Sequence, residues 1–160
     1  MTQPWAETSR WLFVAMGAVW LLIGALTPVM MGSSSYRNLL FLSPRTDREL
    51  YGQEPSDALQ NTTLRGVRDT VVLALAGTLV AAGLLAVAMA WFGLGDGAAW
   101  AFWSLAAAGA VVLPYWIMVL RPYWGAGVWT GLGDLPPFMW VTTLLWLAAT
   151  TTGLIARGGA

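Results

Sequence analysis

The chain has 160 residues and no net charge, its eight arginines offset by eight acids, with Lys, His and Cys all absent. Hydrophobic residues make up 58% and charged residues 10%, against about 25% charged in an ordinary soluble domain, so a surface facing water on all sides is excluded. The missing side chains exclude the usual protein ligands of haem, zinc and iron–sulfur clusters, Schiff-base chemistry and disulfides. The sequence therefore predicts no metal site, no cofactor and no nucleic-acid partner.

Residues 11–31 form the first of four apolar runs. Each is close to the roughly 20 residues that cross about 30 Å of hydrocarbon as a helix, and none contains a charged side chain. Arg10 ahead of an apolar run raises the question of a signal peptide. The run is longer than the 7 to 15 residues of a signal core, and Ala25-Leu26-Thr27 leads into Pro28, so it reads as a true span. Gly17 and Gly24 lie seven apart on it, which keeps one helix face thin. Trp20 sits at its middle, where an indole N–H needs an acceptor.

Residues 33–70 make the first loop, expected to be a small polar cap too short to bury a core of its own. Its stretch 36–42 is apolar but too brief to span, and is expected to lie at the interface or across the bundle mouth. Thr46-Asp47-Arg48-Glu49 fits a helix-capping box with Gly52 ending that helix, and Ser56 or Thr62 starts a helix running into the second span. Arg65 and Arg68 then stand one turn apart. They are candidates for a lipid head group, with a local ion-pair mesh among Arg45, Asp47, Glu49, Arg65, Arg68 and Asp69 as the structural alternative. Asn61-Thr62-Thr63 also fits a glycosylation sequon.

The second span, 71–92, repeats the sevenfold spacing with Ala76 and Gly83, and a short turn at 93–97 leads to the third span, 98–120, with a small-residue patch at 106–110. Pro114 removes one helix hydrogen bond and predicts a kink before Tyr115. Tyr115, Trp116 and Arg121 around it, together with Trp20 and Trp146, are the candidate ligand-binding residues. Arg121 is also a candidate for an anionic head group. No catalytic residue is predicted.

Residues 121–137, with their glycines, prolines and aromatics, read as an irregular interfacial loop. The last span is 139–155, with Trp146 near its middle. Threonines at 142, 143, 150, 151 and 152 are expected to bond back to carbonyls one turn earlier. With four spans, the loops at 33–70 and 121–137 share a side and are expected to form a lid. That side holds Arg37, Arg45, Arg48, Arg65, Arg68 and Arg121 against Arg10 and Arg157 opposite, which places both loops in the cytoplasm and both termini outside. The tryptophans divide accordingly, with Trp5, Trp11, Trp91, Trp100 and Trp103 at one face and Trp116, Trp124, Trp129 and Trp140 at the other.

The fold expected is an all-α integral membrane protein, one domain over 1–160, built as a four-transmembrane-helix bundle with a long first loop and an aromatic, Gly/Pro-rich third loop. In outline this layout resembles the small membrane enzymes that conjugate glutathione. Their Arg, Asn and Glu run at the start of the second span is not reproduced in residues 61–69, and no family is assigned. The functional expectation is a non-catalytic accessory or structural subunit of a larger membrane complex, in contact with lipids, other subunits or further copies of itself. The alternative is a binding protein for a lipid or isoprenoid-like molecule within the bundle. A lipid-modifying enzyme using Arg65, Arg121 or Asp134 ranks below both. The Ala, Gly and Arg bias without Lys points to a GC-rich bacterial genome, and the expected location is a bacterial cytoplasmic membrane.

Overall fold

A computed structural model describes residues 4–33, 36 and 38–158. Arg37, counted in the orientation argument, and Ser34-Ser35 lie outside the described residues. The structure is 80% helix, and no strand occurs among the described residues. Four helices are long and apolar enough to cross a membrane, at 27, 32, 27 and 22 residues, and fit a multi-pass integral membrane protein.

Helix α1 is Pro4–Met30. Within the first loop, α2 is Pro44–Tyr51 and α3 is the single turn Pro55–Ala58. Helix α4, Thr62–Ala88, continues through a π-helical turn, Met89–Gly93, in which the Leu94 N–H donates to the Met89 carbonyl at 3.1 Å. Helix α5 is Ala99–Gly125 and α6 is Pro137–Gly158.

The helices outrun the apolar segments that reveal them. Hydropathy marks only the apolar part of a helix, and polar turns extend it at either end; of the two starts expected for α4, Ser56 and Thr62, the helix begins at Thr62. Helix α5 continues past 120 to Gly125, so Arg121, Pro122, Tyr123 and Trp124 are helical and the irregular loop begins at 126. Helical structure also runs unbroken through Pro114. In the cap, the helix predicted around Thr46 starts three residues earlier. Ser43 is its N-cap, its hydroxyl accepting from the Thr46 N–H at 3.2 Å, with Pro44 at the first helical position where a missing N–H costs nothing. Gly52, at φ 69°, ends that helix as expected, donating to the Arg48 carbonyl. Helix α4 is capped by Asn61, whose side chain accepts from the N–H groups of Thr63 and Leu64 at 3.0 and 3.2 Å.

Helix α1 packs along both α4 and α6, and α5 lies against α6 and the π-helical turn. The α1–α4 seam is made by the small residues spaced seven apart. A Cβ placed on Gly17 would stand 3.0 Å from the Gly83 carbonyl, one on Gly24 2.5 Å from the Ala76 carbonyl, and one on Gly83 2.6 Å from the Leu21 nitrogen. No larger side chain fits, and backbone contact replaces a hydrophobic drive that lipid does not supply. At the end of the bundle holding the termini, Phe13, Met16, Ala86, Ala90, Phe102, Leu105 and Ala149 bring all four long helices together. Phe13 and Phe102 meet edge to face at 6.2 Å. A second cluster of Leu42, Leu120, Tyr123, Val128 and Met139 joins the first loop to the end of α5 and the start of α6.

Candidate functional site

The loops at 33–70 and 126–136 meet in one cap, and Asp47 is its centre. This residue is fully buried. Its carboxylate accepts from the backbone N–H groups of Leu40, Phe41 and Leu42 at 3.1, 2.8 and 3.3 Å, and from the Tyr123 hydroxyl at 2.8 Å. Donors to an anion are the strong kind of hydrogen bond, so one side chain folds the 40–42 turn and ties it to α5.

Arg45 makes the second tie. Its Nε and Nη2 reach the two Asp134 carboxylate oxygens at 3.1 and 2.5 Å, Nη2 also reaches the Trp129 carbonyl at 2.8 Å, and Nη1 pairs with Glu49 at 2.8 Å. Asp134 further accepts from the Ser43 hydroxyl and the Gly131 N–H, both at 3.0 Å. The Arg45 hydrogen bond is the main reason the Asp134 carboxyl is held below its ordinary value of 3.8. Two further cap arginines, Arg68 and Arg65, serve the backbone. Arg68 donates to the carbonyls of Tyr36 and Leu39 at 3.2 and 2.8 Å, pairs with Asp69 at 2.7 Å and lies over the Tyr36 ring. Arg65 Nε caps the Leu59 carbonyl at 2.9 Å, and Arg48 pairs with Glu54 at 2.9 Å.

Of the expected ion-pair mesh, the Arg45–Glu49 and Arg68–Asp69 pairs form. Asp47 and Arg65 bond instead to uncharged groups. Arg65 and Arg68 stand one turn apart but point their donors at different carbonyls, and Arg121 is exposed on α5. Arg65, Arg121 and Asp134 form no hydrogen bond or ion pair with one another among the described residues; Arg65 bonds to Leu59 and Asp134 to Arg45, Ser43 and Gly131.

Among the ligand-binding candidates, Trp20 and Trp146 are brought together. They line an inter-helix cleft with Met16, Gly109, Val112, Leu113, Thr142 and Thr143. Its volume is about 10 Å³, room for roughly one water. The Trp146 indole donates to the Ala106 carbonyl at 3.0 Å, and its ring lies on the bare backbone of Gly109. Thr142, Thr143 and Thr152 bond back to the carbonyls of Phe138, Met139 and Ala148 as expected, whereas the buried Thr150 hydroxyl has no hydrogen-bond partner among the described residues. Tyr115 is 64% exposed on the outer face of α5, and Trp116 packs on Phe138 in the cap cluster, so both stand apart from that cleft. A larger, shallow groove of about 310 Å³ runs along the outside of α4, lined by Thr62, Thr63, Gly66, Val67, Thr70 and Val71.

The sequence left two arrangements unread. One is the Asp47 hub, for which Tyr123 carries no local signal. The other lies at the opposite end, where Arg10 lies over the rings of Trp91 and Trp11. No cluster of three or more His, Cys, Asp or Glu that could hold a metal occurs among the described residues. No protein-family model, curated protein or solved structure matches the chain.

Proposed function

We propose that this chain is a non-catalytic structural or accessory subunit of a larger membrane assembly, with helix-face contacts as its working surface. The outer face of α4 carries the reading. Gly66, Thr70, Ala74, Gly77 and Ala81 are all exposed there, three or four residues apart, and a Cβ on Gly66 or Gly77 would meet nothing within 4 Å. This repeats, on the free side of the helix, the small-residue stripe that closes the internal seam with α1. In lipid such thin faces are where helices associate. The cap adds support: Arg45, Arg48, Arg65 and Arg68 are engaged with internal partners rather than arrayed around an open cavity. The excess of arginine on the cap side supports a cytoplasmic cap with both termini outside, and the Ala, Gly and Arg bias supports a bacterial cytoplasmic membrane.

A second reading is a lipid or isoprenoid-like ligand between the helices, favoured by Trp20 and Trp146 lining one cleft. It requires that cleft to widen well beyond the volume of one water.

Native mass spectrometry after gentle extraction tests the proposal. The wild-type chain should be recovered in a complex far heavier than its own 17.2 kDa. Gly77→Ile, which fills the open face and leaves the internal seam intact, should return as the free chain with unchanged helicity. Recovery of the wild type as a bare monomer overturns the reading. A monomer with a fixed hydrophobic adduct favours the ligand reading instead.

A further inference from the structure

The end of the bundle opposite the cap holds a cation in an unusual setting. Arg10 Cζ lies 4.9 Å from the Trp91 ring centroid and 5.9 Å from that of Trp11, and the two indoles meet edge to face at 5.5 Å. The guanidinium also rests against the turn after the π-helix, where a Cβ on Gly95 would lie 3.4 Å from Cζ. That turn carries the carbonyl-rich end of α4, which favours a positive charge. Arg10 Nε is buried and has no hydrogen-bond partner. The terminal nitrogens form no hydrogen bond or ion pair among the described residues either, but they are not enclosed. Glu7 and Asp96, the acids at this end, form no ion pair with Arg10. Rings and backbone thus fix the guanidinium and cover its back, leaving its outer edge for an acceptor.

The surroundings identify that acceptor. Trp11, Trp91, Trp100 and Trp103 at this end are 49, 43, 63 and 56% exposed, the pattern of rings that settle at head-group level. An open guanidinium edge at that depth suits a phosphate, which matches it with two oxygens, and with no acid paired to Arg10 among the described residues the site favours a lipid of net negative charge. We propose that Arg10, clamped by Trp91 and Trp11, is the phosphate anchor of a bound anionic phospholipid. The site is separate from the cap arginines, and it stands whether or not the chain has protein partners.

The test is native mass spectrometry of the purified full-length protein in neutral detergent, titrated with phosphatidylglycerol or with phosphatidylcholine of the same acyl chains. Phosphatidylglycerol should bind in preference. Arg10→Gln should weaken it about tenfold, the loss of one charge-assisted contact. Arg10→Lys, which keeps the charge without the planar fork, should fall between, and Trp91→Leu should weaken binding while Arg10 remains. Arg48→Gln in the cap should change nothing. Thermal unfolding of each variant, run alongside, separates lost binding from lost fold, and Arg10→Lys keeps the test decisive if Arg10→Gln does not fold. Equal binding of the two lipids, or an unchanged preference in Arg10→Gln or Arg10→Lys, overturns the proposal. Complete displacement of the lipid by excess inorganic phosphate also overturns it, because the site would then select a free anion.

Discussion

Tyr123 and Asp47, 76 positions apart in sequence, share a buried hydrogen bond of 2.8 Å that fastens the first loop to the end of α5. Both partners are almost fully enclosed, at 2% and 0% exposure, so water cannot replace either one. Tyr123→Phe removes a donor to a charged acceptor and should cost about 1.5–3 kcal/mol. Asp47→Ala should cost more, since the N–H groups of Leu40, Phe41 and Leu42 lose their acceptor together. Thermal unfolding in detergent ranks the two variants, and hydrogen exchange at those three amides should accelerate most in Asp47→Ala.

The α1–α4 seam makes a contrast within one residue type. Gly24→Ala and Gly83→Ala each force a methyl into opposing backbone and should destabilise by about 1–3 kcal/mol. Gly77→Ala faces open space and should be neutral or slightly stabilising in the isolated chain. Denaturation in mixed micelles compares the three; equal effects would mean the seam is not as tight as its geometry.

Acid should loosen the cap at the Arg45–Asp134 contact. The Asp134 carboxyl is more acidic in the folded chain than its ordinary value of 3.8, so its contribution to stability is complete above that value. The contribution is lost as pH falls through the lowered folded value. Limited proteolysis between 126 and 136 at pH values on either side of 3.8 should show cleavage rising on the acid side. Asp134→Asn should be cleaved readily at both.

Trp146→Phe keeps most of the ring but deletes the donor to the Ala106 carbonyl. It should cost about 1 kcal/mol, the scale of an interhelical hydrogen bond in a bilayer. Gly109→Ala should cost more, because the added methyl meets the indole itself. If the order is reversed, the ring is not seated on the Gly109 backbone.

Features with a local cause were legible in the sequence. Gly17, Gly24, Ala76 and Gly83 announced the seam because small residues at a sevenfold spacing fall on one helix face. Gly52 announced a helix end because it accepts a left-handed conformation. The N-cap was misplaced from Ser43 to Thr46 because both are good capping residues, and Pro44 settles the choice by its fixed φ. The end of α5 was not legible because Arg121 and Pro122 close the apolar run, whereas the helix continues past them to bring Tyr123 to Asp47. The candidate sites were less legible. Trp20 and Trp146 do share a cleft, but whether an indole at mid-span faces a neighbour or a ligand depends on the opposing helix, here on the bare backbone of Gly109. Asp47 and Arg10 acquire their roles from residues remote in sequence, which no spacing rule reaches.

Helix α5 is gripped at both extremities. At one end the π-helical turn brings Gly93 so near Ala101 that a Cβ on Gly93 would stand 2.6 Å from the Ala101 Cβ; at the other, Leu120 and Tyr123 are sunk in the cap. A beam clamped at both abutments cannot slide along its axis and yields only by bowing at mid-height. For α5 that height is Val112 and Leu113, which line the cleft shared with Met16 and Trp20 of α1 and Trp146 of α6, so a bow should open that cleft first.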